Sequence, residues 1–296
     1  MSLLSGSVSL SRFYVLRRPA LPDFDQARFE SIDRESEERL SCGFSPFRLG
    51  ADYRIGAERW AFRIRIDRLR PDATRIRERV GELVRDELEE GAEVVGPTKR
   101  RELRHQATEE IVAVTSPSTA ILECCLDDDV LYVSSTAATR LGIVADQLRR
   151  IGVEIAPKVP WNRRDDEFES PVTVTPEEPG SSIGGRMMEE LVGDTVLNIE
   201  PDDGRVKLRT RDTQIALRGV VIHDLLYFLE HGAEIVAAKM VTEEATFDFD
   251  VQSFRITNMS IAADPSDDWQ QQLNRRFETI SEVFEILDMK FYELSH

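Results

Sequence analysis

The sequence predicts an α+β protein: antiparallel sheets with packed helices, arranged in two or three subdomains. Three observations carry this. Strand-like and helix-like runs follow one another without a regular βαβ alternation. Three runs, 233–241, 245–251 and 253–261, read as strands of an antiparallel sheet, the last two alternating in polarity across a residue-scale turn. The chain then closes on an amphipathic segment in which Trp269, Leu273, Phe277, Ile280, Phe284, Leu287 and Phe291 form one apolar stripe, either core or a partner seam.

In chain order, 9–17 reads as a strand and 22–40 as a charged helix burying Phe24, Phe29 and Ile32. Residues 60–68 alternate as a strand with Phe62, Ile64 and Ile66 on one face. Pro71-Asp72 opens a helix whose Ile76, Val80, Leu83, Val84 and Leu88 recur at helical spacing until Gly91. Thr98 can cap a second helix burying Leu103, Ala107, Ile111 and Val114. A hairpin over 120–135 turns at Asp127-Asp128-Asp129, and a helix over 136–151 ends at Gly152. Prolines and acids then dominate: between Asp165 and Asp203 there are 12 Asp and Glu against Arg186 alone. This composition change divides the chain into a domain over 1–156, an acidic linker with a short helix over 157–192, and a domain over 193–296. The last begins with a hairpin at Asp202-Asp203-Gly204 and a helix over 219–231.

The 296 residues carry 38 Lys and Arg against 55 Asp and Glu, a net charge of −17, which disfavours a uniformly cationic surface. No run of about 18 apolar residues and no export signal is evident, which points to a cytoplasmic protein that does not enter a membrane. Cys42, Cys124 and Cys125 read as small core residues. The four histidines share no metal spacing, and Gly180-Ser181-Ser182-Ile183-Gly184-Gly185 lacks the Lys-Ser/Thr ending of a phosphate loop, so no metal or other cofactor is expected. Asp127-Asp128-Asp129 and Asp165-Asp166-Glu167 could in principle hold magnesium, but consecutive acids at a turn point apart.

The informative signal is basic and periodic. Arg205, Lys207, Arg209 and Arg211 alternate with Val206 and Leu208, so a strand would gather four cations on one face at about 6.5–7 Å spacing. Such a row repels itself unless an anion lies opposite. Arg63 and Arg65 repeat the device, and 54–79 holds nine Arg against four acids. Lys99, Arg100, Arg101 and Arg104 open a helix, where cations oppose the dipole by about 0.3–1 kcal/mol each. No base-reading motif is present.

The order of several motifs resembles the recombination-associated protein RdgC family over nearly the whole chain. They are Arg12-Phe13-Tyr14-Val15-Leu16-Arg17, Gly43-Phe44-Ser45-Pro46, the strand-Pro-helix passage 62–84, and Lys99-Arg100-Arg101-Glu102-Leu103-Arg104. Asp203-Gly204-Arg205-Val206 with Arg209 and Arg211, and 234–240, complete the set. The resemblance implies a non-enzymatic, nucleoid-associated homodimer that closes into a ring around double-stranded DNA and modulates recombination by restraining a recombinase. By resemblance the DNA-facing residues are Lys99, Arg100, Arg104, Arg209, Arg211 and Lys239; Arg205, Lys207, Arg63 and Arg65 follow from strand periodicity alone. The chain departs from the family at 112–117, Val-Ala-Val-Thr-Ser-Pro, where the family's Leu-Leu-Pro-x-Ala-Phe supplies an aromatic to the ring. Two other expectations compete: a metal-dependent nuclease built on the acidic clusters, and a protein-interaction module using the acidic linker and the last helix.

Overall fold

The computed structural model describes residues 2–33, 38–91, 93–160, 162–163, 172–173, 183–200, 204–219, 222–262 and 268–293. The strands are β1 (Val8–Arg17), β2 (Leu40–Pro46), β3 (Arg59–Arg68), β4 (Ser118–Asp127), β5 (Val130–Val133), β6 (Glu154–Pro157), β7 (Asn162–Arg163) and β8 (Val172–Thr173). They continue as β9 (Asn198–Ile199), β10 (Arg205–Arg209), β11 (Gln214–Arg218), β12 (Glu234–Val241), β13 (Ala245–Asp250) and β14 (Arg255–Ile261). The helices are α1 (Ala73–Glu89), α2 (Pro97–Val114), α3 (Ala138–Arg150), α4 (Ile183–Glu190), α5 (Ile222–Glu230) and α6 (Trp269–Glu293). The architecture is α+β, with twelve of the strands in one antiparallel sheet.

Two compact units form: residues Met1–Pro22, Pro46–Phe62 and Leu122–His296 make the first, and Asp23–Ser45 with Arg63–Ile121 the second. This division does not follow the composition change near residue 157. The reason is β1, which pairs with β14 on one edge (Val8 with Met259, Leu10 with Ile256) and with β5 and β6 on the other. The amino-terminal strand is thereby an interior strand of the carboxy-terminal sheet, and Val8, Leu10, Phe13 and Val15 are buried.

The first unit's strand order is β11-β10-β12-β13-β14-β1-β5-β4. Its core takes Val206, Leu208, Ile235, Phe247, Phe249, Ile256 and Met259 from the strands and Leu273, Phe277, Ile280, Phe284, Leu287 and Phe291 from α6. The stripe on the last helix is therefore core, which excludes it as a partner seam. Each buried Phe or Leu contributes about 1.5–3 kcal/mol, and the Tyr132 ring meets Phe277 edge-on at 4.7 Å. Residues 201–203 of the expected hairpin at Asp202-Asp203-Gly204 lie outside the described residues. β9 pairs with β12, and β10 instead turns into β11 through Thr210–Thr213, closed by Thr210 N to Thr213 O at 2.9 Å.

In the second unit, Asp72 caps α1 by accepting from Thr74 N, and Gly91 at φ +109° ends the turn beyond it. α2 starts one residue before Thr98, at Pro97, whose missing N–H costs nothing in the first turn. The helix expected over 22–40 is replaced, among the described residues, by a single 3-10 turn, Phe24–Ala27. Contacts with β2 override the local pattern: Phe29 N donates to Phe44 O at 2.8 Å, and the Phe24 ring meets Phe44 edge-on at 5.2 Å. Gly43 permits this approach, since a Cβ there would stand 2.6 Å from Phe29 Cα.

Candidate nucleic-acid interface

Alternation along β10 buries Val206 and Leu208 completely and leaves Arg205 and Lys207 in solvent. The register with β11 sets Arg205 opposite Arg218, Lys207 opposite Ala216, and Arg209 opposite Gln214. Paired residues in an antiparallel ladder share a face, so Arg205, Lys207 and Arg218 project together. Like charges directly opposite destabilise by about 0.2–1 kcal/mol. Among the described residues, no carboxylate lies within 4 Å of Arg205, Lys207, Arg211 or Arg218 to relieve that repulsion. Arg218 was missed in the sequence reading, although the alternation Gln214-Ile215-Ala216-Leu217-Arg218 would have disclosed it.

The expected row of four is corrected at two places. Arg211 has left the strand and sits exposed in the β10–β11 turn, because the ladder ends at Arg209. Arg209 is mostly buried and donates to Glu234 at 2.9 Å, the residue opposite it on β12. Lys239 is likewise committed, holding Glu200 at 2.7 Å. Beyond β12 the sheet turns acidic, with Asp248 facing Lys239 and Asp250 facing Ala237. Along β10 to β13, the described cations with no carboxylate within 4 Å thus sit on the outer β10–β11 hairpin.

In the second unit, Arg65 donates two hydrogen bonds to Asp67, at 3.0 and 2.8 Å, and lies 4.4 Å over the Phe29 ring. It is a structural residue, not a free cation. Arg63 is half-buried and engaged. Lys99 pairs with Glu87 at 2.6 Å. Arg100, Arg101 and Arg104 stand exposed on the first turns of α2, where no carboxylate of the described residues lies within 4 Å. Of the ten expected residues, Arg100, Arg104, Arg205, Lys207 and Arg211 therefore retain an uncompensated charge, the first two in one unit and the last three in the other.

Asp67 gives a pH-dependent consequence. Burial pushes its carboxyl up, but the hydrogen bonds from Arg65 and Thr119 outweigh burial and hold it below the usual carboxylate range. Its folded pKa is thus lower than its unfolded value of about 3.9, so its stabilisation is complete above that value and drains away as pH falls through the folded one. Arg65 is partly exposed, which limits the pair to about 1 kcal/mol. Thermal melts of Arg65→Ala should show a deficit against the wild type at pH 7 that shrinks at about pH 3; an unchanged deficit would assign the loss to packing on Phe29.

Asp127, Asp128 and Asp129 do not act together. Asp127 is gripped by Arg59 through two bonds of 2.9 Å, while Asp128, at φ +50°, and Asp129 are exposed in the turn. Asp165-Asp166-Glu167 lies outside the described residues. Among the described residues no group of three or more His, Cys, Asp or Glu could hold a metal ion. Cys124 and Cys125 are buried, and burial pushes both thiols up; Cys42 is partly buried. No helix of the described residues is long and apolar enough to cross a membrane. Against models of protein families and against curated proteins, the chain finds no match.

Proposed function

We propose that this protein binds double-stranded DNA without sequence preference, through the cationic face of the β10–β11 hairpin, with the exposed arginines at the start of α2 as a separate candidate in the other unit. One observation carries the reading: Arg205, Lys207 and Arg218 are held side by side on one solvent face, unneutralised, in a chain of net charge −17. Same-face residues lie about 6.5–7 Å apart, a spacing suited to successive phosphates of one strand. Phosphates would supply the missing counter-charge and release their own counterions. The acidic remainder confines contact to this face and repels the duplex elsewhere.

On this reading the protein is a non-enzymatic, nucleoid-associated, cytoplasmic homodimer. Two copies double the number of phosphates engaged, and occupied duplex is withheld from a recombinase. The resemblance to the RdgC family supports this assignment. The test is gel retardation of labelled duplexes of unrelated sequence at low salt, with magnesium present. All should be retarded alike and remain uncut. Cleavage would favour the metal-dependent nuclease, and no retention at any salt concentration would overturn DNA binding.

A further inference from the structure

Within the first unit, a cavity of about 630 Å³ opens between the amino-terminal residues Leu4–Gly6, the end of β14, Glu244 and one face of α6. That volume falls in the range of small-molecule sites. Its unusual feature is Arg276, only 7% exposed. The guanidinium donates through Nε to Leu3 O at 2.9 Å and through Nη2 to Gly6 O at 2.8 Å. Its Nη1 amino group has no partner among the described residues, and no carboxylate of those residues lies within 4 Å. Burial disfavours this charge, and Glu123, itself tied to Ser2 Oγ and Leu3 N, only partly offsets the effect. A buried cation is ordinarily paired with an anion; here no described carboxylate makes that pair, and the guanidinium lines a cavity instead.

The opposite charge is close by. Glu244 accepts a hydrogen bond from the Thr279 hydroxyl at 2.8 Å, which fixes this carboxylate beside α6 one turn from Arg276. Three residues of helix advance about 4.5 Å. Arg275, Glu278 and Glu282 also line the cavity, and the two carboxylates against one guanidinium leave its remaining charge negative, which disfavours phosphates and other multiply charged anions. A cation site and an anion site one helical turn apart match the carboxylate and ammonium ends of an α-amino acid.

We propose that this cavity binds a free α-amino acid, its carboxylate on Arg276 and its ammonium on Glu244. The inference is independent of DNA binding, as neither residue belongs to the cationic face.

Isothermal titration calorimetry of the full chain against the common α-amino acids, each offered singly, tests it. At least one should bind saturably at or below about 1 mM. Its deaminated and decarboxylated analogues should each bind at least about tenfold more weakly, as should the amino acid to Glu244→Gln and Arg276→Met. Should Arg276→Met fail to fold, having lost its hold on Leu3 and Gly6, Glu244→Gln carries the test, because glutamine can still accept from Thr279. No saturable binding by any amino acid, or equal binding of a single-ended analogue, overturns the proposal. DNA retention by Glu244→Gln should match the wild type, which separates this site from the duplex-binding face.

Discussion

Replacing Asp288 with alanine is expected to destabilise the protein by about 3–5 kcal/mol. Arg12 on β1 donates through both terminal nitrogens to the Asp288 carboxylate of α6, each bond 2.8 Å, with only 2% of the Arg12 side chain exposed. The guanidinium also lies 4.0 Å over the Phe284 ring. Removing the carboxylate strands this cation in an apolar setting, where the surviving ring contact is worth only about 0.5–2 kcal/mol. Because β1 and α6 come from opposite ends of the chain, the loss should appear as a lower urea midpoint with an unchanged slope. Replacing both partners together, Arg12→Met with Asp288→Leu, should recover most of the loss, since the apolar pair leaves no charge to desolvate. A deficit under about 1 kcal/mol for Asp288→Ala would place the pair among solvated surface bridges.

Secondary structure was legible where periodicity and punctuation agreed. The stripe of α6, the Asp72 cap of α1 and the alternation of β13 and β14 were all readable in the sequence. What one-dimensional patterns could not convey was non-local pairing. Phe24 and Phe29 suit a helix on spacing, yet hydrogen bonding to Phe44 across a glycine draws the segment out. The pairing of β1 with β14, which overrides the composition change as a divider of the chain, spans more than two hundred residues and leaves no local trace.

The site was legible in the same partial way. Strand alternation put Arg205 and Lys207 in solvent, but it cannot distinguish a free cation from one that meets a carboxylate on a neighbouring strand. Register decided that: Glu234 opposite Arg209 removes one cation from the face, and Arg218 opposite Arg205 adds another. The repulsion at Arg205 and Arg218 is the feature a folding argument leaves unexplained.

Converting Arg205, Lys207, Arg211 and Arg218 together to alanine is expected to weaken duplex binding about 100-fold or more near 50 mM salt, equally for all sequences. The fold should survive, because all four side chains are exposed and none makes an ion pair with a described residue. Relieving the Arg205–Arg218 repulsion should if anything raise stability by a few tenths of a kcal/mol. Converting Arg209 or Lys239 instead should affect binding little, since Glu234 and Glu200 already hold them. Unchanged affinity in the fourfold variant would remove the hairpin from the interface and leave Arg100, Arg101 and Arg104 as the remaining candidates.

The dependence of duplex affinity on salt tests the phosphate-neutralisation account most directly. Plotted as log K against log salt concentration, the wild-type protein should give a straight line falling by about 0.9 for each phosphate engaged, with the fourfold variant shallower by close to the contribution of the cations removed. A wild-type line that stays flat as salt rises, or a variant line parallel to it, would contradict it.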